Sequence, residues 1–364
     1  MTQVPSRRWK TALVGCGRIG RRHAGILAEQ TRSDFTGVCD RDLAQAKSFA
    51  DEHGGRAYAS LSDLIAGEHP DLVAICTPSG IHAEQVIEAA RAGIRNVVVE
   101  KPMALLLSDA DEMIDACVRS GTRLFVVQQN RYNYPIQKLR EALDQGRFGR
   151  LVLGSVRVRW CRRQDYYDQA EWRGTWAMDG GVFSNQASHH VDMLVSMMGP
   201  VASVKALSST RLVEIEAEDT GAALLKFQNG ALGVIEATTA SRPRDLEGSI
   251  SILGEHGTVE VGGFAMNEMR TWAFDDAGPE EAAVLDQYRT NPPDVYGFGH
   301  HAYYRDVFTA LDDDHAPAID GAEGRRSLEV ITGIYESIAS GREITFPFVP
   351  SDSRLGRSSV LLPR

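Results

Sequence analysis

The sequence lacks the long apolar runs and the leader pattern that mark membrane and secreted proteins. A membrane-spanning helix needs about 20 consecutive apolar residues, and no run in this chain reaches that length. The N-terminal segment contains Arg7, Arg8 and Lys10 but no apolar signal segment and no small-residue cleavage site. We therefore expect no contact with a membrane and a location in the cytoplasm.

Cysteine is scarce, and its positions share no metal-ligand spacing. Three cysteines fall where strands are predicted to end, a place typical of small buried side chains. We predict reduced thiols and no metal site; the five cysteines are Cys16, Cys39, Cys76, Cys117 and Cys161.

Positive charge is also in short supply. The chain has 39 lysines and arginines against 49 acidic residues, a formal net charge of -10. The arginines form no long basic stripe, so nucleic acid is not an expected partner. A small anionic substrate remains compatible with this balance, because a few local arginines can bind one.

Residues 1–128 alternate apolar strand patterns with helical patterns, which favours a parallel sheet of the doubly wound Rossmann type. The continuously apolar runs indicate strands that are buried on both faces. The predicted strands are Thr11–Val14, Phe35–Cys39, Leu72–Cys76, Val97–Val99 and Leu124–Val127.

Residues 129–345 change in character and predict an α+β domain with an open, mostly antiparallel sheet. The turn Gln228-Asn229-Gly230 has the chemistry of a tight hairpin. Residues 346–364 are predicted to be a C-terminal tail. Strands are predicted at Leu151–Trp160, Ala222–Phe227, Ala231–Ala237 and Ser249–Leu253, and helices at Ile136–Gln145, Val182–Met198, His300–Leu311 and Gly324–Ser340. The fold class is therefore α/β, a Rossmann domain followed by an α+β domain.

A glycine-rich loop follows the first strand and opens a helix, the setting in which G-x-G-x-x-G binds a dinucleotide diphosphate. Asp40 ends the second strand, where a carboxylate accepts the ribose hydroxyls and repels a 2'-phosphate. This arrangement predicts NAD, with NADP left as the alternative because Arg41 could bind that phosphate. The predicted cofactor residues here are Gly15, Gly17, Arg18, Ile19, Gly20, Asp40 and Arg41.

Three further motifs make the pattern specific. They are T-P-S-G-I-H at residues 77–82, E-K-P at residues 100–102, and a Gly180-Gly181 pair followed by His189 and Asp192. With the glycine loop, this sequence resembles the glucose-fructose oxidoreductase, inositol dehydrogenase and rhizopine catabolism family (Gfo/Idh/MocA). The resemblance implies an NAD-binding domain at 1–128 and a substrate-binding and oligomerisation domain at 129–345. It also implies that Thr77, Pro78 and His82 lie beside the nicotinamide and Glu100 near its ribose; for His82 a purely structural role stays open.

The resemblance assigns catalysis to Lys101 and His189. Lys101 follows a strand of the parallel sheet, at the edge where such sheets hold ligands, and an ammonium there stabilises negative charge on oxygen. His189 matches the family's proton acceptor, and Asp192 one turn later could orient it. Many family members have aspartate where this chain has Asn185, which cannot act as a base. In this departure the sequence resembles the nucleotide-sugar branch of the family, which is typified by UDP-N-acetylglucosaminuronate 3-dehydrogenases.

The segment Arg157–Trp176 is rich in arginine and aromatic residues, which bind carboxylate or diphosphate groups and stack on sugars and bases. We predict that it lines the substrate, although packing at a domain or subunit interface is the alternative. The expected substrate residues are Lys101, Arg131, Tyr167, Trp172, Arg173, Asn185 and His189.

The sequence therefore predicts an NAD-dependent oxidoreductase that transfers a hydride between nicotinamide and a ring hydroxyl of a sugar or nucleotide sugar, with a UDP-linked hexose or uronate oxidised at C3 as a specific possibility. The alternatives are an inositol or polyol dehydrogenase, an NAD-assisted glycosidase of the same family, and a non-catalytic dinucleotide sensor. By analogy with the family we expect a homo-oligomer, either a dimer or a tetramer.

Overall fold

The structure is a computed structural model that describes residues 7–278, 281, 283–289 and 297–357. The chain divides into two compact units. The first comprises residues up to 127 together with 300–325, and the second comprises 128–299 and 326 onward. The domain limits predicted from the sequence do not include this return of residues 300–325 to the first unit.

The first unit is built on a parallel sheet of six strands in the order β3-β2-β1-β4-β5-β6. The strands are β1 (Trp9–Val14), β2 (Ser33–Cys39), β3 (Arg56–Tyr58), β4 (Leu72–Ile75), β5 (Asn96–Val99) and β6 (Arg123–Val126). The helices are α1 (Arg18–Glu29), α2 (Leu43–His53), α3 (Leu61–Glu68), α4 (His82–Arg91), α5 (Leu107–Ser120) and α10 (Gly299–Asp312), whose first residue belongs to the second unit. This strand order confirms the predicted Rossmann fold.

Apolar residues explain why the central strands form. Every residue of β4 and β5 is buried, as expected of strands covered on both faces. The carboxyl ends of β1, β4, β5 and β6 share one edge, because all four strands run parallel. The residues that follow these strands therefore form the rim on which a ligand can bind.

The second unit contains an eight-stranded sheet in the order β13-β12-β11-β7-β10-β9-β8-β14. All pairings are antiparallel except the parallel pair β7 and β10, which confirms the predicted mostly antiparallel sheet. Its strands are β7 (Leu151–Arg159), β8 (Val201–Ser209), β9 (Thr220–Phe227), β10 (Leu232–Thr238), β11 (Glu247–Gly254), β12 (Gly257–Gly262), β13 (Glu268–Phe274) and β14 (Ile344–Thr345). The helices in this part of the chain are α6 (Tyr134–Asp144), α7 (Gln164–Asp168), α8 (Ser188–Met198), α9 (Val284–Gln287) and α11 (Gly321–Ser340), whose first residues belong to the first unit.

Helix α8 packs closely on one face of this sheet. A Cβ atom on Gly154 of β7 would lie 2.7 Å from Met198 and 2.8 Å from Leu194, so glycine is needed for helix and sheet to approach. Almost the whole of α8 is buried, including its polar residues. This packing fixes the backbone from which His189 projects.

The predicted C-terminal tail is partly ordered against the second unit. The carboxylate of Glu336 accepts the main-chain N–H groups of Ser351, Asp352 and Ser353 at 2.8 to 3.2 Å. Leu355 is buried and lies against Gly180. The last residues of the predicted tail, 358–364, lie outside the described residues.

No described helix has the length and apolar character needed to cross a lipid bilayer. None of the cysteines forms a disulfide, and burial raises the pKa of Cys16 and Cys39 to about 12. These two thiols therefore stay protonated beside the glycine loop.

Candidate active site

The glycine loop has the geometry that a diphosphate needs. Gly15 has φ of +100°, and an added Cβ would lie 2.7 Å from the main chain of Cys76. A Cβ on Gly20 would overlap the carbonyl oxygen of Gly15. A Cβ on Gly17 would meet nothing within 4 Å, so the loop faces open space at the N-terminus of α1. The first turn of α1, which contains Arg18 and Ile19, has no acidic residue, which suits an anion at that helix end.

Asp40 lies beside this loop. Its Oδ2 atom accepts the N–H of Cys16 at 3.0 Å, and its Oδ1 atom accepts the N–H of Asp42 at 3.0 Å. Each oxygen retains a lone pair, which is what binding two ribose hydroxyls requires. Arg41 is exposed. The residues present therefore fit a dinucleotide.

His82 connects the loops that follow β4 and β5. Its ring nitrogens lie 2.8 Å from the carbonyl oxygen of Thr77 and 3.0 Å from that of Pro102. The ring is buried, and this burial lowers its pKa against the opposing effect of the two carbonyl groups. We interpret His82 as holding Lys101-Pro102 and Thr77-Pro78 together, the structural role that the sequence left open.

Glu100 occupies a buried hydrogen-bond network directly before Lys101. Its Oε1 atom lies 2.8 Å from His23 Nε2, and Tyr304 Oη lies 2.7 Å from His23 Nδ1. Its Oε2 atom accepts the main-chain N–H of Lys101 at 3.0 Å. Although burial acts to raise it, the pKa of Glu100 is held below its usual range by His23 and by the charge of Lys101. An ionised Glu100 thus fixes the backbone of Lys101.

Among the described residues, one group has the spacing of a metal site: ligand atoms of His23, Glu100 and His300 all lie within 4.8 Å of one another. Both nitrogens of His23 already have hydrogen-bond partners, and the Arg22 guanidinium donates to His300 Nδ1 at 3.3 Å. A cation beside this guanidinium would be repelled. We interpret the group as part of the network that supports Lys101.

His189 is held by two glutamines that sequence reasoning missed. Its Nδ1 atom lies 2.9 Å from Gln128 Oε1, and Gln129 Nε2 lies 3.0 Å from His189 Nε2. In these amide orientations Gln128 accepts from Nδ1 and Gln129 donates to Nε2, which assigns the proton of the imidazole to Nδ1 and the lone pair to Nε2. Both glutamines follow strand β6, a position at the ligand-binding edge that could have indicated them.

The suggestion that Asp192 orients His189 is wrong. Asp192 instead accepts two hydrogen bonds from Arg131, at 2.8 and 2.7 Å, and one from Ser327 at 3.1 Å. Arg131 is thereby held in a bidentate ion pair with a residue of helix α8.

Asn185 lies in a π-helical turn, Val182–Gln186, that precedes α8. Its amide donates to Asp179, which also accepts the N–H of Gly174 at 2.8 Å. Gln186 donates to Tyr166 Oη at 3.0 Å. This turn therefore contacts the arginine-rich and aromatic segment directly.

The arginine-rich and aromatic segment, Arg157–Trp176, separates into two parts. The Arg173 guanidinium lies 4.3 Å from the centroid of Tyr166 and 5.6 Å from that of Trp172, so this part remains next to the Asn185 turn. Tyr167 is buried, its hydroxyl lies 3.1 Å from Thr239 Oγ1, and burial raises its pKa to about 12.

The first residues of the segment already have protein partners. Arg157 and Arg159 belong to β7 and form ion pairs with Glu236 on β10, Glu247 on β11 and Glu260 on β12. These pairs make cross-strand contacts of the sheet.

Comparison with known proteins agrees with the fold and the motifs. Residues 9–128 match the model described as "Oxidoreductase family, NAD-binding Rossmann fold", and residues 140–346 match its C-terminal alpha/beta domain. The chain is an oxidoreductase of the Gfo/Idh/MocA family. Its Rossmann domain is of the NAD-binding type, which confirms the predicted cofactor.

Two solved structures are especially similar. The WlbA dehydrogenase from Bordetella pertussis, in complex with NADH and UDP-GlcNAcA, is 44% identical, with a TM-score of 0.90 over 95% of this chain and 100% of that one. The WlbA dehydrogenase from Chromobacterium violaceum, with the same two ligands, is 43% identical, with a TM-score of 0.88 over 96% of this chain and 100% of that one. A myo-inositol 2-dehydrogenase from Thermotoga maritima is 25% identical over 92% of this chain and 98% of its own length.

Proposed function

We propose that this protein is an NAD-dependent dehydrogenase that oxidises the C3 hydroxyl of a UDP-linked N-acetylhexosaminuronate. The observation that carries the proposal is the 44% identity, over 95% of this chain, to a dehydrogenase bound to NADH and UDP-GlcNAcA. Asn185, in place of the aspartate found in many family members, supports the same branch.

His189 is the proposed proton acceptor. The hydrogen bond to Gln128 keeps the proton on Nδ1 and leaves Nε2 as the basic atom. A substrate hydroxyl would replace the Gln129 amide as the partner of Nε2 and transfer its proton there. NAD, when bound, accepts the hydride.

Lys101 is the proposed electrophilic partner of the same hydroxyl. Its ammonium group stabilises the negative charge that develops on oxygen as the proton leaves. Glu100 supports this role by binding the main-chain N–H of Lys101. The ring of His82 contacts the carbonyl oxygen of the adjoining Pro102.

Arg173, Trp172 and Asn185 are the proposed substrate contacts in the second unit. A guanidinium next to aromatic rings suits an anionic group on a sugar or on its nucleotide. Arg131 and Tyr167 are proposed to support this surface, because Arg131 is held by Asp192 in a bidentate ion pair and the hydroxyl of the buried Tyr167 lies against Thr239.

The first unit is the proposed NAD domain, and the second is proposed to bind the substrate and to form a homodimer or homotetramer. Exposed leucines on the open face of the second sheet support this assembly: Leu207 is 73% exposed, Leu224 62% and Leu232 56%. Apolar side chains on a sheet face are typical of a protein interface. A cytoplasmic location is part of the proposal and is supported by cysteines that form no disulfide.

A substrate panel tests the proposed function. The purified protein is mixed with NAD and one of UDP-GlcNAcA, UDP-GlcNAc, free N-acetylglucosaminuronate or inositol, and NADH formation is followed by absorbance. We expect turnover with UDP-GlcNAcA and far slower turnover with the others. Faster oxidation of inositol would support a polyol dehydrogenase, and turnover of none would contradict the proposal.

Substitutions at the two proposed catalytic residues separate chemistry from cofactor binding. Lys101→Ala and His189→Ala should each reduce kcat by about a hundredfold to ten-thousandfold, while the Kd for NADH, measured by fluorescence titration, changes little. Neither residue is assigned to the diphosphate or to the adenosine ribose. Near wild-type turnover by His189→Ala at neutral pH would transfer the proton-accepting role to another group.

A further inference from the structure

The turn before helix α8 begins with N–H groups that the helix itself cannot satisfy. The first N–H groups of any helical segment point away from its own carbonyls, and π-helical turns are uncommon. The turn Val182–Gln186 is buried at Val182, Phe183, Ser184 and Gln186. Water therefore cannot supply all of the missing acceptors.

Two residues far away in the sequence supply them. Tyr335 Oη accepts the N–H of Gly181 at 3.1 Å and that of Ser184 at 3.2 Å. The Oε1 atom of Glu218 accepts the N–H of Phe183 at 3.1 Å.

The same two residues complete the start of the turn. The main-chain carbonyl of Glu218 accepts the N–H of Val182 at 3.0 Å. Tyr335 donates its own proton to Glu218 Oε1 at 2.9 Å. Glu218 or Tyr335 thus accepts a hydrogen bond from every main-chain N–H group from Gly181 to Ser184.

Close packing leaves this arrangement little freedom. A Cβ atom on Gly181 would overlap the carboxyl group of Glu218. The Tyr335 ring is 2% exposed and makes an edge contact with Trp176 at 5.3 Å between centroids. At the far end of the turn, Asn185 is bound to Asp179. The turn is therefore anchored at both ends.

Resting on the function proposed above, we propose that Tyr335 and Glu218 are positioning residues for catalysis. By accepting the N–H groups of Gly181–Ser184 they set the direction in which the turn enters α8. That direction places Asn185 and His189 toward the reacting hydroxyl. Neither Tyr335 nor Glu218 itself touches the substrate.

Tyr335→Phe is the sharpest test, because it removes one hydroxyl and keeps the ring. Two main-chain N–H groups lose their acceptor, so we expect kcat with UDP-GlcNAcA to fall about tenfold. The KM for NAD should stay within about twofold, because the glycine loop lies in the other unit. Glu218→Gln keeps the Oε1 acceptor and should retain most of the activity, whereas Glu218→Leu should lose it as Tyr335→Phe does.

Ser337→Ala is the matched control. Ser337 lies on the same helix and is equally buried, and its hydroxyl accepts the N–H of Ala206 at 3.0 Å and donates to the carbonyl of Arg342 at 2.6 Å. The Ser337→Ala variant therefore loses about as many hydrogen bonds as Tyr335→Phe does, but it loses them away from the turn. We expect this variant to lose stability and to keep its kcat.

Hydrogen exchange of the peptide that spans residues 181–186 gives a readout independent of turnover. Exchange should be faster in Tyr335→Phe than in wild type or Ser337→Ala. Unchanged kcat in a folded Tyr335→Phe variant, or an equal loss in Ser337→Ala, would overturn the positioning role. An inactive wild type would contradict the proposed function and the catalytic part of this proposal, whereas faster exchange in Tyr335→Phe would still support the anchoring.

Discussion

The carboxyl group of Glu218 should make the stability of the protein depend on pH in a way that one substitution removes. Burial, with a further contribution from the charge of Asp179, raises its pKa from 4.5 to about 7. Its Oε2 atom has no hydrogen-bond partner among the described residues, and the hydroxyl of Tyr335 reaches only Oε1. Glu218→Gln keeps the size and the Oε1 acceptor but cannot ionise.

Whether the free energy of unfolding rises or falls with pH depends on whether the folded or the unfolded state binds the proton of Glu218 more tightly. Because the pKa of Glu218 is higher in the folded state than in the unfolded chain, folding is favoured when this group is protonated. The stabilisation is complete below about pH 4.5 and is lost as the pH rises through about 7. A shift of this size corresponds to about 3 kcal/mol in the free energy of unfolding.

Urea unfolding of wild type and Glu218→Gln from about pH 5 to about pH 8 measures this difference. The free energy of unfolding of wild type should fall relative to that of the variant across this range. Glu214→Gln, which changes an exposed carboxyl on the same loop, should show no such divergence. Parallel pH curves for wild type and Glu218→Gln would refute the argument that this carboxyl group is buried and protonated.

Three further substitutions test other parts of the site. Asp40→Ser should improve the Kd for NADP at least about tenfold, because it removes a carboxylate that repels the 2'-phosphate; tighter binding of NADP than NAD by the wild type would instead give Arg41 the deciding role. Arg173→Ala should weaken UDP-GlcNAcA binding in calorimetry by about tenfold to a hundredfold, and an unchanged Kd would remove Arg173 from the site. His23→Ala removes the hydrogen-bond partner of the buried Glu100 Oε1 atom and should lower the free energy of unfolding by about 2 to 3 kcal/mol; a loss below about 1 kcal/mol in urea unfolding would mean that this hydrogen bond does not stabilise the carboxylate.

The Rossmann unit could be predicted well because its strands are continuous apolar runs. The predicted strand at Leu72–Cys76 differs from β4 by one residue at its end. Strand β3 (Arg56–Tyr58) was missed, since it is three residues long and has no buried residue. Local patterns cannot identify a strand that forms only because a neighbouring strand is available.

The helix predicted at Val182–Met198 illustrates a different limit of prediction from sequence. Its apolar spacing is helical throughout, but the structure has a π-helical turn before α8 begins at Ser188. The groups that fix this turn, Glu218 and Tyr335, come from distant parts of the chain. Nothing in the sequence near residue 182 points to them.

In the candidate site, too, local sequence indicates some features, whereas others depend on residues that are distant in the chain. Motifs indicated Lys101 and His189 as candidates, because their neighbours in sequence carry the family pattern. The partner of His189 was predicted to be Asp192, one helical turn away, because spacing on a helix can be derived from sequence. The observed contacts of His189 are Gln128 and Gln129, and they depend on tertiary packing. Asp192 instead accepts a hydrogen bond from Arg131.

The most direct test of the proposed reaction follows the hydride itself. UDP-GlcNAcA that carries deuterium at C3 is incubated with the protein and NAD, and both products are analysed by mass spectrometry. We predict that the NADH formed contains the deuterium and that the sugar product is a 3-keto compound without it. NADH without deuterium would place the oxidation at another carbon, and no NADH would contradict the account.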